Sequence, residues 1–142
     1  MNAQDGQQTR GFRWNAGGWF GSQIGMTAWI LVTAIVLYPV DANVATFVLL
    51  FFLFPNAIGT WLWTRRARIS PYKAVQSLVV MAGACSMGVI FVVSNNGHWA
   101  VVQQYGGSMS ARTTNLLILT LVVGLLLLFH YLNRQNAGSD GE

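Results

Sequence analysis

Four long apolar segments limit what this chain can fold into. They cover residues 19–40, 43–63, 74–94 and 114–132, and none of them contains an Asp, Glu, Lys or Arg. A helix needs roughly 20 residues to cross a hydrocarbon core about 30 Å thick, and each segment has about that length. The apolar residues are consecutive rather than alternating, which favours helices over the strands of a membrane barrel. The sequence therefore predicts an all-α integral membrane bundle of four transmembrane helices.

The connections between these segments predict how the helices are arranged. Only Asp41 and Ala42 separate the first two segments, so we expect these helices to form an antiparallel hairpin. Pro71 marks where the third helix can begin, and turn residues at 95–97 and 106–108 indicate a long loop before the fourth. We therefore expect two antiparallel hairpins. The predicted regions are a tail with an interfacial segment, the transmembrane domain and a second tail, at residues 1–18, 19–132 and 133–142.

The basic residues are distributed unevenly around the predicted spans. With four spans, seven of the eight basic residues fall on one side of the membrane, and Arg112 alone falls on the other. Because Lys and Arg accumulate in cytoplasmic segments, both termini are predicted to be cytoplasmic. The middle loop carries four cations that can contact anionic lipids in the bilayer: Arg65, Arg66, Arg68 and Lys73. The net charge of +4 thus reflects membrane topology, and we do not expect nucleic acid as a partner.

Small residues recur at helical spacing in two of the spans. Gly17, Gly21 and Gly25 follow one another every fourth residue, and Ala84 and Gly88 have the same spacing in the third span. On a helix this spacing gives a smooth face that another helix can approach closely, within the chain or in an oligomer. Alternatively, the glycines break the chain before the first span and leave the nearby aromatic residues as an anchor at the membrane interface.

The segment NAGGWFGSQ, at residues 15–23, precedes an apolar run. This combination resembles small uncharacterised bacterial multi-pass membrane proteins, over the first hairpin of the chain. The resemblance implies a bacterial origin, and hence the inner (cytoplasmic) membrane. It implies no activity.

Uncharged polar residues inside the spans are candidates for a functional role. Asn56 follows Pro55, and a proline within a helix frees a backbone carbonyl that a polar neighbour can bind. Together with Gln23 and Thr60, Asn56 could line a path through the membrane, or it could make hydrogen bonds between helices. We favour the helix contact, because functional sites inside membranes usually contain ionisable residues.

Sequence patterns that would support catalysis or metal binding are weak. Met81 and Cys85 lie one helical turn apart, but two sulfur atoms without a third ligand do not make a copper site. His98 and His130 are predicted on opposite sides of the membrane, so they cannot bind one haem. The sequence also lacks nucleophile and nucleotide-binding motifs. We therefore expect no enzyme activity, no cofactor and no metal site.

These observations leave two classes of function. The first is a non-catalytic integral membrane protein that acts as a structural, assembly or interaction subunit, in a homo-oligomer or with a membrane partner subunit. The alternative is a small homo-oligomeric channel or transporter lined by uncharged polar residues. The surroundings of Gln23 and Asn56 distinguish them, because a channel needs a water-accessible path and a subunit needs only a dry helix contact.

Overall fold

Four long helices and one short helix make up the described part of the chain. The computed structural model describes residues 14–106 and 108–138, and the side chains as far as residue 134. The helices are α1 (Ala16–Leu37), α2 (Ala42–Thr64), α3 (Pro71–Asn95), α4 (Trp99–Gly106) and α5 (Ala111–Gly138). By length and composition, α1, α2, α3 and α5 could each cross a membrane. The predicted all-α fold with four candidate spans is thus confirmed.

Polar side chains stand at the beginning of the first three helices. Asn15, Asp41 and Ser70 precede α1, α2 and α3, and each accepts a hydrogen bond from at least one N–H group in the first turn. Such caps satisfy backbone donors that have no partner within the helix. Pro71 occupies the first turn of α3, where its missing N–H leaves no hydrogen bond unmade.

The glycine-rich segment is helical, so the alternative in which it breaks the chain is wrong. Gly17, Gly21 and Gly25 all lie inside α1, which begins three residues before the predicted span. The first turn is held by Asn15, whose Oδ1 accepts a hydrogen bond of 2.9 Å from the N–H of Gly17. Trp19 is only 4% exposed, and it packs in a cluster with Leu62 of α2 rather than lying at the bundle surface. The first 13 residues of the predicted tail lie outside the described residues.

α3 and α5 each begin three residues before the predicted spans, and the ends of α1 and α5 also differ by several residues. α1 ends at Leu37 instead of residue 40, because Pro39 has no N–H with which to continue the helical hydrogen bonds. α5 continues past the predicted end of its span at residue 132 to Gly138.

The predicted loop between the last two spans contains α4. Gly97 has a φ of 76°, a left-handed conformation that glycine adopts readily, and it turns the chain from α3 into α4. Val101 and Val102 of α4 then pack against the hydrophobic core. This short helix was not predicted, because eight residues are too few to give a clear periodic pattern.

α3 lies at the centre of the bundle. It packs against α2 on one side and α5 on the other, and α1 packs mainly against α2. One hydrophobic cluster joins α1, α2 and α3 around Ile30, Val48 and Val89, and a second surrounds Trp19 and Leu62. No residue in the span of α5 is buried, although α5 packs closely on α3, where Val122 lies against Gly83.

Candidate functional site

A small group of polar residues connects α1 and α2 between the two hydrophobic clusters. This polar layer consists of Gln23 and Thr27 on α1 and Asn56 on α2. Gln23 is 2% exposed and Thr27 is completely buried. The structure thus brings together Gln23 and Asn56, the two residues whose surroundings distinguish the predicted functions.

The polar layer is held by a continuous chain of hydrogen bonds. Gln23 Nε2 donates to the backbone carbonyl of Asn56 at 2.7 Å and to Asn56 Oδ1 at 3.1 Å. Asn56 Nδ2 in turn donates to Thr27 Oγ1 at 3.0 Å, and the Thr27 hydroxyl donates to the carbonyl of Gln23 at 2.9 Å. Both donors of Gln23 and one donor of Asn56 are therefore used across the contact between α1 and α2, which is how buried polar groups avoid a desolvation penalty.

Asn56 also makes a hydrogen bond within α2, next to Pro55. The buried proline cannot donate to the carbonyl of Phe51, which weakens the hydrogen-bond ladder of α2 at this level. Asn56 Nδ2 donates at 2.7 Å to the carbonyl of Phe52, the next along the chain. The asparagine side chain thus supports its own helix while it also binds α1.

Gly59 is a component of the site that the sequence did not reveal. A Cβ at this position would lie 2.5 Å from Cδ of Gln23 and 2.9 Å from its Nε2, and still closer to Oε1. Any larger residue would therefore have to displace the Gln23 amide. The carbonyl of Gly59 also accepts a hydrogen bond of 3.1 Å from the indole of Trp19, so this one glycine contacts α1 twice.

Two polar atoms near the layer make no hydrogen bond between α1 and α2. Gln23 Oε1 is buried and has no hydrogen-bond donor among the described residues, and it occupies the space beside Gly59. Thr60, which we assigned to the same polar site, lies on the exposed side of α2 instead. Its hydroxyl donates to the carbonyl of Asn56 at 2.9 Å, so it satisfies its own helix and does not enter the contact with α1.

Two clefts in the described part of the bundle lie away from this layer. A cleft of about 370 Å³ opens between α1, α3 and α5, with Gly25, Trp29 and Ser86 among its lining residues. Another, of about 230 Å³, lies between α1 and α4 beside Thr33. Neither is lined by a residue of the polar layer, in which Gln23 and Thr27 are buried and Asn56 is partly buried.

The predicted small-residue face divides into two kinds of surface. Gly21 and Gly25 are exposed, and a Cβ at either position would meet nothing within 4 Å. Ala84 is exposed as well, whereas a Cβ on Gly88 would lie 2.8 Å from the ring of Phe51. Gly88 therefore allows α2 and α3 to approach closely, and the glycines of α1 serve no such contact within the described chain.

The basic residues of the middle loop lie beside tryptophans. The Arg65 guanidinium lies 5.4 Å from the ring centre of Trp61, and that of Arg66 lies 4.8 Å from Trp63. Such cation–π contacts hold the positive groups at the end of the bundle. Asp41 is the only carboxylate in residues 14–106 and 108–138, and none of these loop cations forms an ion pair within that part of the chain.

Asp41 forms a polar contact with a residue far away in the sequence. His98 Nε2, just before α4, lies 3.1 Å from Asp41 Oδ2. The carboxylate also caps α2, and the backbone N–H of Val44, followed by His98, lowers the pKa of Asp41 below its ordinary value. The contact ties α4 to the turn between α1 and α2. Sequence reasoning placed both residues on the same side of the membrane but gave no sign that they meet.

Comparisons of the chain with protein-family models, curated proteins and solved structures found no match. The resemblance of residues 15–23 to bacterial multi-pass proteins therefore stays a prediction.

Proposed function

We propose that this chain is a non-catalytic integral membrane protein that acts as a structural, assembly or interaction subunit. In this proposal α1, α2, α3 and α5 cross the bilayer as two antiparallel hairpins. Both termini lie in the cytoplasm, and the host membrane is the bacterial inner membrane. The competing function is a small channel or transporter that uses the same polar residues.

The observation that carries the proposal is that the amide N–H groups of the polar layer all donate to protein atoms. Gln23 and Asn56 are the amides that a pore through these helices would have to use, and both donate to groups within the α1–α2 contact. A residue that coordinates a permeating species needs free polar atoms facing a path. Amides that bind each other across a helix interface instead fix the register and separation of two helices.

Contacts between α1 and α2 support the first hairpin. Trp19, early in α1, donates a hydrogen bond to Gly59, late in α2. The connection between the two helices is only four residues long, from 38 to 41. The positions of the basic residues support the orientation, because the three arginines between α2 and α3 and Lys73 in the first turn of α3 lie at one end of the bundle. Arg112, at the start of α5, belongs to the opposite end in this topology.

Unused helix surfaces support a role in assembly. The exposed glycines of α1, Gly21 and Gly25, offer a close approach that no described part of the chain takes up. In a membrane, close approach of small residues is a principal way in which helices associate, because lipid removes the hydrophobic drive between them. A second copy or a partner subunit would supply the missing helix.

The proposal can be tested by reconstitution. The purified chain is inserted into liposomes, and the flux of protons and potassium is compared with that of empty liposomes, for the parent and for Asn56→Asp. We expect no flux from either, and a less stable variant, because Asp at the centre of a spanning helix costs about 2.5–3.5 kcal/mol on insertion scales.

A mild-detergent preparation gives the complementary result. Its mass should exceed that of one chain plus detergent, or a second membrane protein should co-purify. Flux from the parent chain that changes in selectivity in Asn56→Asp would contradict the proposal and favour the channel.

A further inference from the structure

A groove between α3 and α5 combines positive charge with an apolar floor. It has a volume of about 770 Å³ and opens at the end of the bundle that carries the basic loop. Its polar part is formed by Lys73, Gln76, Ser77 and His130, and its apolar part by Val80, Met81 and Leu126. We infer that this α3–α5 groove binds one anionic phospholipid, with the phosphate at Lys73 and an acyl chain along the apolar part.

Electrostatics favours an anion at the polar end of the groove. Lys73 lies in the first turn of α3, where the helix dipole adds positive potential to its ammonium group. Among residues 14–106 and 108–138 the single carboxylate is Asp41, which lies at the start of α2 in contact with His98. No described acidic residue can therefore neutralise Lys73, and a phosphate group would.

The other polar residues suit the oxygen atoms of a headgroup. Ser77 donates its hydroxyl hydrogen to the carbonyl of Lys73 at 2.9 Å, which leaves its oxygen free to accept a hydrogen bond from a headgroup hydroxyl. Gln76 and His130 add an amide and an imidazole from the two walls of the groove. A headgroup that carries hydroxyls as well as a phosphate would use all of these groups.

The apolar part of the groove distinguishes a lipid from a soluble anion. From Lys73 to Val80 the groove follows α3 for seven residues, about 10 Å of helix. The groove is polar at the Lys73 end and apolar at the Val80 end, so the ligand must be anionic at one end and apolar at the other. A phospholipid at the edge of the bilayer meets both conditions, and basic pockets between spanning helices are known to hold such headgroups. The inference rests on the proposed membrane insertion and is independent of the subunit role.

The test is native mass spectrometry of the full chain with lipids of matched acyl chains. Phosphatidylglycerol and phosphatidylcholine are added to the detergent-solubilised protein, and the affinity for each is measured. We expect tighter retention of phosphatidylglycerol and a loss of about fivefold in Lys73→Gln, the equivalent of about 1 kcal/mol for one cation. Arg68→Gln is the matched control, because it removes the same charge outside the groove, and it should change the affinity less than twofold.

Two further measurements keep the inference falsifiable. Leu126→Trp fills the apolar part and should also weaken phosphatidylglycerol binding, with thermal unfolding recorded to confirm that both variants fold. Equal retention of the two lipids, or equal losses in Lys73→Gln and Arg68→Gln, would overturn the site in favour of diffuse surface charge. Inorganic phosphate that displaces phosphatidylglycerol at similar concentration would also overturn it, because the lipid tail would then contribute nothing. Ion flux in liposomes would contradict the proposed subunit role without affecting this result.

Discussion

The contact between Gly59 and Gln23 makes a quantitative prediction about stability. In Gly59→Ala the new methyl group must displace the Gln23 amide, because a Cβ there would lie only 2.5 Å from Gln23 Cδ. Overpacking of a core costs about 1–3 kcal/mol, and the displaced amide would lose two hydrogen bonds to Asn56 worth about 0.6 kcal/mol each in membrane proteins. These losses add to about 2–4 kcal/mol, and the better helix propensity of alanine offsets about 0.5–1 kcal/mol of them. We therefore expect Gly59→Ala to lower the free energy of unfolding by about 1–3.5 kcal/mol.

A double-mutant cycle tests the physical cause of this loss. Gln23→Ala alone should also destabilise the protein, because it removes the two hydrogen bonds and leaves a cavity against Gly59. In Gly59→Ala combined with Gln23→Ala, the methyl group has room. The loss of stability in the double variant should therefore be smaller than the sum of the two single losses, by about 1 kcal/mol or more. Gly21→Ala is the control for the change from glycine to alanine in a helix, because its Cβ meets nothing within 4 Å, and it should not lower the free energy of unfolding.

The cycle can be measured by reversible unfolding in mixed micelles. Tryptophan fluorescence and circular dichroism follow unfolding as the fraction of denaturing detergent rises. Losses that add within about 0.3–0.5 kcal/mol would show that Gln23 and Gly59 act independently, which would refute the packing argument.

Three further predictions concern other parts of the chain. The carboxylate of Asp41 has a lowered pKa in the folded state, so its stabilisation is present above about pH 4 and lost as the pH falls further. The unfolding temperature should therefore fall less in acid for Asp41→Asn, which keeps a cap, than for the parent chain. An equal fall in both would contradict a role for the carboxylate. Gly88→Leu should destabilise the bundle by about 1–3 kcal/mol or more, because a Cβ there meets the ring of Phe51. Gly124→Leu, where a Cβ meets nothing within 4 Å, should not destabilise it, and similar unfolding curves for the two variants would contradict this prediction. In a cysteine-free background, impermeant thiol reagents should label Ala42→Cys from outside the cell and Ala67→Cys only from inside, and labelling of Ala67→Cys from outside would overturn the proposed orientation.

Much of the fold follows from composition and spacing alone. The spans were predictable because 20 consecutive apolar residues have few stable alternatives to a membrane helix. The end of α1 was misplaced because hydropathy extends through Pro39, whereas the helix depends on an N–H that proline lacks. α4 was missed because its residues Val101 and Val102 are ordered by tertiary packing against the core, which a short sequence pattern does not record.

The candidate site was only partly predictable for a similar reason. Asn56 and Gln23 stand out because amides are conspicuous in apolar spans. Thr27 and Gly59 do not, because both residue types are ordinary in membrane helices, although each lies one turn from an amide. Their roles depend on which faces of α1 and α2 meet, and the contact that fixes this is made by residues more than 30 positions apart.

The central claim is that the polar layer is a dry contact between helices, and the water accessibility of Thr27 tests it most directly. Thr27 is completely buried in the layer, and cysteine is close to threonine in size. With the native Cys85 replaced by Ala, Thr27→Cys is treated with a small hydrophilic thiol reagent in liposomes, beside Ala67→Cys as a loop control. We expect rapid labelling of the loop position, and labelling of the buried position only after denaturation. Labelling of Thr27→Cys in the folded protein at a rate near that of the loop would reveal a water-filled path and contradict the account.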